Sequence, residues 1–228
     1  FAKYGGRVPH PRLLKVLQAV PRQLGQKFTY THIDRDETST SLRQSLELLV
    51  RARVCHKVQA SQSTGLPLGA DANEKIFKTI FMDVGLVSAM LGLSLDEFDM
   101  GRLSNSGGLA EQVVGQGLRI LESKNKDPQL YYWVREKKGS EAEVDYVIQN
   151  GSTILPIEVK SGSGGALKSL HHFMEMRALE TAVRFNSERP SKTQVSVKIP
   201  KDKISRYQLV SLPMYWVSET KRLLKGLL

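Results

Sequence analysis

The sequence of 228 residues contains one cysteine, few aromatic residues and no long apolar run. Because Cys55 is alone, no internal disulfide can form, and a reducing cytoplasm is the expected location. No apolar run reaches the ~18 residues that a membrane-spanning helix needs, so we expect no membrane partner. The first residues, FAKYGGRVPHP, lack the pattern of a signal peptide and do not begin with Met. We therefore expect the chain to be part of a longer protein.

Positive charge is abundant and unevenly distributed. Lys and Arg number 33 against 23 Asp and Glu, which gives a net charge of +10. Residues 1–75 carry +6, residues 76–160 carry −3 and residues 161–228 carry +7. Basic surfaces attract phosphate backbones, and an acidic pocket between them can hold a cation. The pattern favours a nucleic-acid partner, with ordinary solvated helices and loops as the alternative.

The first 75 residues predict a small domain of helices followed by a two-stranded ribbon. Residues 11–25 and 41–54 have the apolar spacing of helices, and CHKVQAS (55–61) and LPLGA (66–70) have strand character. This order is typical of a winged helix, which often places one helix in the major groove of DNA. The candidate phosphate contacts are Arg43, Arg51 and Arg53. A protein–protein spacer with a merely solvated helix face is the alternative.

A second domain is expected over residues 76–228. The strongly apolar segment IFKTIFMDVGLVSAMLGL (76–93) predicts a buried core helix. The pattern then predicts a helix, three strands, a helix and a strand, over residues 109–123, 131–136, 141–149, 152–160, 166–180 and 181–187. Two further strands and a terminal helix follow. The expected fold class is therefore α/β, behind a winged-helix domain.

The stretch EAEVDYVIQNGSTILPIEVK (141–160) predicts a hairpin whose turn is Asn150-Gly151. In that register Asp145 faces Pro156 and is a diagonal neighbour of Glu158. One face carries Val144, Tyr146, Ile148, Leu155, Ile157 and Val159. The other face carries Glu143, Asp145, Val147, Ile154, Glu158 and Lys160. The hairpin therefore has one apolar face and one face rich in charge.

The crowded carboxylates suggest a cation site. Such groups repel one another and raise each other's pKa, and a divalent cation relieves the repulsion. Mg²⁺ prefers one or two carboxylates together with waters and phosphate oxygens. A lysine beside the ion can orient or deprotonate water, or stabilise a charged phosphate. Asp145, Glu158 and Lys160 therefore suit metal-dependent hydrolysis of phosphodiesters, and a hairpin face that simply meets solvent is the alternative.

Asp145 followed by the EVK of residues 158–160 resembles the PD-(D/E)XK signature of the restriction-endonuclease-like superfamily. The core of that superfamily has the order helix, three strands, helix, strand around a mixed sheet, which matches the predicted elements. It commonly adds a glutamate on the first helix, where Glu111 of GLAEQVV lies. The resemblance implies Asp145, Glu158 and Glu111 as ligands of Mg²⁺ or Mn²⁺, and Lys160 as the catalytic amine. The residue before Asp145 is not the proline of the signature.

A second resemblance, to the C-terminal half of a family of bacterial and archaeal AAA+-type ATPases, covers nearly the whole chain. The matching segments are FAKYGG, VPRQL, LPLGA, FKTIFMDVGLVSAML, GGLAEQVV, YYWV, EVDYVI, LPIEVKSG and VSLPMYWV. In that family a P-loop domain precedes a winged helix and a nuclease-like domain of undefined function. No G-x-x-x-x-G-K-[ST] motif occurs here, so ATP binding would require the missing N-terminal domain. The resemblance implies DNA, that ATPase domain and further copies of the chain as partners.

Two functions, with a variant of the second, remain open at this point. The first is Mg²⁺-dependent cleavage of DNA, with the winged helix and the basic flanks, including Lys168, positioning the strand. The second is a non-cleaving module that binds nucleic acid or a partner protein for the ATPase. A purely structural role in assembling an ATPase ring is a variant of the second. The first is favoured because a degenerate site tends to lose a member, and all four expected residues are present: Glu111, Asp145, Glu158 and Lys160.

Overall fold

The computed structural model describes residues 8–94, 105–121, 127–137, 140–162, 164–200 and 202–225. Its helices are α1 (His10–Ala19), α2 (Ser39–Arg51), α3 (Val84–Leu91), α4 (Ser106–Ile120), α5 (Lys168–Arg177) and α6 (Thr220–Lys225). Its strands are β1 (Cys55–Ser61), β2 (Ala72–Phe81), β3 (Leu130–Lys137), β4 (Ser140–Asn150), β5 (Thr153–Val159), β6 (Thr181–Asn186), β7 (Ser191–Ile199) and β8 (Lys203–Pro213). Among these residues, no helix combines the length and the apolar character needed to cross a membrane.

The eight strands form one mixed sheet in the order β2-β1-β3-β4-β5-β6-β8-β7. Strands β1 and β3, β5 and β6, and β6 and β8 run parallel, and the other neighbours run antiparallel. The order α4-β3-β4-β5-α5-β6 is the helix, three strands, helix and strand predicted from the sequence. The α/β class and the mixed sheet are therefore confirmed.

Helices cover both faces of the sheet. Helix α4 packs on one face, where Val114 lies in a core with Tyr132 and Tyr146. Helix α5 packs on the other face, where the rings of Phe173 and Trp133 have centroids 5.0 Å apart. Helices α1, α2 and α3 form a third core against the outer strands β1 and β2. Burial on both faces explains why several strands have consecutive apolar residues rather than strict alternation.

The region expected to form a separate winged helix contributes strands to this same sheet. In the described part of residues 1–75, two α-helices, α1 and α2, precede β1. Strand β1 pairs with β3 as well as with β2, so the expected ribbon is joined directly to the second region. The expected boundary between residues 75 and 76 lies inside β2. This order and this connection differ from those of a winged helix.

Two local predictions between residues 66 and 93 are wrong. LPLGA is not a strand, because Leu68–Asp71 is a 3-10 turn and the partner of β1 is β2. The apolar segment from residue 76 does not begin as a helix either, since its residues to Phe81 belong to β2. Helix α3 begins only after Asp83, whose side chain caps it. An unbroken apolar run fits a buried strand and a buried helix equally, so periodicity alone could not separate them.

The β4–β5 hairpin is confirmed, with a turn one residue later than predicted. Asn150 pairs with Thr153, which leaves Gly151 and Ser152 as the turn. Gly151 has a φ of +62°, a conformation that favours glycine. The pairing of β4 with β5 is therefore shifted by two residues from the predicted pairing. Because side chains alternate between the two faces of a strand, an even shift leaves the residues predicted to share a face on the same face of the hairpin.

Neither face of the hairpin is open to solvent along its length. Val147 and Ile154, predicted on the charged face, are buried in the core beneath α5. Leu155 and Ile157 are buried in the core beneath α4. The alternative of a hairpin face that simply meets solvent is therefore wrong, and the acidic residues of the hairpin need an account of their own.

Candidate functional site

Asp145 and Glu158 lie where strands β4 and β5 separate. The ladder between these strands ends at the pair Tyr146 and Ile157, and one further step in the same register places Asp145 opposite Glu158. Beyond that pair, the N–H of Val159 bonds to the side-chain carboxylate of Asp145 rather than to a main-chain carbonyl. Asp145 Oδ2 accepts this hydrogen bond, which is 2.7 Å long. The two acidic residues are thus held at the ends of neighbouring strands, closer in register than the predicted diagonal.

A β-bulge in β4 lies at Asp145. Opposite Tyr132 of β3, strand β4 has two residues, Asp145 and Tyr146. Bulges often re-aim a side chain next to a functional site. Tyr146 is buried beneath α4 and donates a hydrogen bond of 2.8 Å to the main-chain carbonyl of Glu111. Val144, predicted on the same face as Tyr146, packs beneath α5 instead, because the extra residue reverses the alternation.

Glu111 is held in place because α4 is fixed to the edge strand β2. The buried side chain of Gln112 accepts a hydrogen bond of 2.8 Å from the N–H of Phe81 and donates one of 2.9 Å to its carbonyl. Near the start of α4, a Cβ on Gly108 would lie 2.7 Å from the carbonyl oxygen of Leu24. Only glycine permits α4 to lie this close to the main chain at Leu24. Glu111 therefore projects from a helix that is anchored on both sides of it.

Lys78 of β2 belongs to the candidate site and was not predicted from the sequence. It is only 2% exposed. Its ammonium donates a hydrogen bond of 2.8 Å to Glu111 Oε2 and forms an ion pair with Glu143. It also lies 4.0 Å from Asp145 Oδ1 and 5.3 Å from the ring centroid of Tyr132. The sequence did contain a signal, because a lysine inside an apolar run must find a partner for its charge. The core helix predicted for this run gave no indication of which residue that partner is.

Lys160 and Glu158 form the second ion pair of this cluster. Lys160 Nζ lies 2.7 Å from Glu158 Oε1. The second oxygen, Glu158 Oε2, is buried and has no hydrogen-bond partner in the part of the chain that the structure describes. A Cβ on Gly165 would lie 2.8 Å from Lys160 Cδ, so the glycine-rich loop after β5 packs directly on the lysine. The side chains of Lys160 and Glu143 are 25% and 35% exposed, against 3% for Lys78, so solvent reaches the cluster at Lys160 and at Glu143.

The acidic cluster is defined by its six ionisable side chains: Lys78, Glu111, Glu143, Asp145, Glu158 and Lys160. Four carboxylates face two ammonium groups, so the fully ionised cluster carries two excess negative charges. Burial, followed by the charge of Asp145, raises the pKa of Glu158 to about 8. Burial also raises the pKa of Glu111 to about 7, although Lys78 opposes this. Burial disfavours the charge on Lys78, but Glu111 and Glu143 hold its pKa well above the usual value.

A divalent cation fits Asp145 and Glu158 by charge and by donor type. Mg²⁺ is usually bound through one or two carboxylates, with waters and phosphate oxygens completing its shell. The unpaired Glu158 Oε2 is an oxygen donor of the required kind. Among the described residues, no group of three or more His, Cys, Asp or Glu side chains is arranged to hold a metal ion. Because Glu111 bonds to Lys78, its role as a third ligand stays a prediction.

The predicted DNA contacts lie on other elements than the cluster. Arg43 and Arg51 are exposed on α2, and Arg53 is exposed in the turn after it, 3.9 Å from Asp127. Lys168 is exposed at the first residue of α5. The structure thus brings the four catalytic candidates into one network and leaves the four basic candidates on the surface. Their contact with nucleic acid stays a prediction.

Two family models match the chain. Residues 1–97 match a domain of unknown function, DUF8612, and residues 106–215 match a second domain of unknown function, DUF4143. The second is often found in AAA-ATPase-associated proteins. No curated protein and no solved structure matches the chain. The acidic cluster spans both matched segments, because Lys78 lies in the first and its carboxylate partners lie in the second.

Proposed function

We propose that this chain hydrolyses phosphodiester bonds of DNA with a divalent cation held by Asp145 and Glu158. The observation that carries the proposal is the junction of β4 and β5. There Asp145 bonds to the N–H of Val159, the residue between Glu158 and Lys160. A purely structural hairpin gains nothing from facing carboxylates and a buried oxygen without a hydrogen-bond partner, since both cost free energy. The restriction-endonuclease-like order of elements supports the same proposal.

Each group has a distinct role in this proposal. Asp145 and Glu158 would hold the cation, Mg²⁺ or Mn²⁺. When bound, it would neutralise charge on the phosphate and lower the pKa of a water molecule. Lys160, the more exposed lysine of the cluster, would orient that water or stabilise the charge that develops on the phosphate. The packing of Gly165 against the Lys160 side chain limits where its amine can lie.

DNA and an ATPase are the proposed partners. The net charge of +10 and the exposed residues Arg43, Arg51, Arg53 and Lys168 support attraction to a phosphate backbone. The match to DUF4143 supports association with an AAA-type ATPase, which would supply ATP binding from a preceding P-loop domain. A cytoplasmic location and association with further copies of the chain belong to the same proposal.

A non-cleaving DNA-binding or protein-interaction module is the second candidate, and Lys78 favours it. Its ammonium already contacts Glu111 and Glu143 and lies near Asp145. The described residues also lack a three-carboxylate group arranged for a metal. In this case the cluster would be an internal ion-pair network, and the basic surface would bind DNA or a partner without cutting.

A cleavage assay separates the two candidates. Supercoiled plasmid, single-stranded DNA and branched DNA are incubated with the purified chain in Mg²⁺, in Mn²⁺ or in EDTA. We expect cleavage with either metal and none in EDTA. Lys160→Ala and Glu158→Gln should each lower the rate by about 100-fold or more. The first removes the amine that stabilises developing charge, and the second removes a ligand of the cation. Lys15→Ala is the matched control, since Lys15 is an exposed lysine of α1 that pairs with Asp34.

The outcomes of this assay are distinct. Cleavage of equal rate in the Lys160→Ala protein would come from a contaminating nuclease and would count against the proposal. Binding of DNA without cleavage in both metals would replace hydrolysis with the non-cleaving module. Neither binding nor cleavage of any of the three DNA forms would contradict hydrolysis and DNA binding alike, and would leave the protein-interaction module.

A further inference from the structure

Lys78 makes contacts that packing does not require. It lies in β2 between Ile76 and Ile80, which pack in the core beneath α4. An apolar residue at position 78 would continue that face. Replacing a buried ion pair with apolar residues is often neutral or stabilising. The lysine therefore needs an explanation other than the stability of the fold.

The carboxylates around Lys78 provide that explanation. Glu111 comes from α4, and Glu143 and Asp145 come from β4, so negative charges from two elements meet at one place. Without a cation among them these groups would repel one another. The Lys78 ammonium bonds to Glu111 over 2.8 Å, pairs with Glu143 and lies 4.0 Å from Asp145 Oδ1. It therefore supplies the positive charge at the point where the three groups converge.

We propose that Lys78 is a positioning residue, whose ammonium holds Glu111 and Glu143 beside Asp145 and is the internal counter-charge of the cluster when no divalent cation is bound. The inference rests on the proposed function, because the carboxylates that Lys78 positions adjoin the proposed cation site. It also makes the two matched segments one functional unit. Residues 1–97 supply the lysine, and residues 106–215 supply the carboxylates.

Cation binding by the full chain tests this inference without relying on cleavage. Lys78→Met removes the charge and keeps a long apolar side chain, whereas Lys78→Arg keeps the charge. Lys57→Met is the matched control, since Lys57 lies on the adjacent strand β1, pairs with Glu47 and lies over the ring of Phe77. We expect Lys78→Met to bind Mn²⁺ about 10-fold more tightly than the unmodified chain, because a nearby positive charge is lost. The other two variants should stay within about twofold of the unmodified chain.

Cleavage gives a second readout. If Lys78 positions the carboxylates, Lys78→Met should lose cleavage although it binds Mn²⁺ more tightly, and Lys78→Arg should recover much of it. Tighter binding together with lost activity is not produced by partial unfolding, which would weaken both. Equal Mn²⁺ affinity in the unmodified chain and in Lys78→Met would overturn the inference.

A double variant covers the case in which Lys78→Met is too unstable for titration. Glu143→Gln in the same chain removes one carboxylate that has lost its partner. The double variant should therefore melt at a higher temperature than Lys78→Met, and no recovery would overturn the inference. If the unmodified chain binds no Mn²⁺, the proposed function fails, and the melting temperatures alone then decide the role of Lys78.

Discussion

The free energy of unfolding of the cation-free protein should fall as the pH rises from 6.5 to 8, because of Glu158. Burial raises the pKa of this residue to about 8, against 4.5 for an ordinary glutamate. Between these values the folded protein holds a proton that the unfolded chain has released. Folding takes up that proton, so the stabilising effect of protonation is lost as the pH rises through the folded pKa.

The size of the effect follows from one proton. A difference of one bound proton gives a slope of about 1.4 kcal/mol per pH unit, so Glu158 removes at most about 2 kcal/mol over this range. Glu111, with its pKa raised to about 7 by burial, adds to the fall at the lower end. The range also excludes most of the opposing effect of His56, whose pKa is lowered by burial to about 4. At the ordinary histidine value of about 6.5, only about 0.4 kcal/mol of the stability that His56 gains with rising pH is still to come.

Urea unfolding in EDTA at pH 6.5, 7.2 and 8.0 measures the slope. Glu158→Gln should flatten it by up to about 1.4 kcal/mol per pH unit, since glutamine does not titrate. Glu188→Gln, at an exposed position after β6, is the matched control and should keep the original slope. Excess Mg²⁺ should also flatten the slope, because a cation favours the deprotonated carboxylate. A slope that is flat in the unmodified chain, or equally steep in Glu158→Gln, would refute the protonation of this residue in the fold.

Three further predictions concern the frame of the site and its surface. Gln112→Leu should lower the free energy of unfolding by about 2–4 kcal/mol in urea, because both backbone groups of Phe81 lose a buried partner. Gly117→Ala should cost about 1–3 kcal/mol, since its Cβ would collide with the side chain of Val217, and Val217→Ala in the same chain should recover part of the loss. DNA affinity should fall steeply with salt, and Arg51→Ala should reduce the slope of log affinity against log salt by about one. A salt-independent affinity would contradict a basic contact surface.

Local patterns predicted the second half of the fold well and the first half less well. From α4 onwards each element has its own periodicity and its own turn residues, and Asn150-Gly151 fixed the hairpin to within one residue. The failure at β2 has a physical cause. Phe77 and Phe81 pack in the core of α1 and α2, and Ile80 packs beneath α4, so the strand is apolar on both faces. Only its pairing with β1 identifies it as a strand, and that pairing is not a local property.

The candidate site divides in the same way. Asp145, Glu158 and Lys160 were predictable, because two adjacent strands and the turn between them determine their spacing. Glu111 was predictable only through the resemblance, which placed it on the first helix of the core. The consequences of the bulge at Asp145 were not predictable, because a bulge depends on how β3 and β4 pair.

Lys78 shows what charge composition does reveal. The acidic middle segment, residues 76–160, carries −3 and contains all six side chains of the cluster. Composition therefore located the cluster but did not identify its members, since Lys78 reaches Glu111 across 33 positions of the chain. A lysine in an apolar run and an excess of carboxylates in the same segment are complementary signals, because each is costly to bury alone. If Lys78 is the counter-charge of the cluster, any division of the chain between residues 78 and 111 separates carboxylates from the amine that holds them. The two matched segments should then lose the cluster when they are expressed apart.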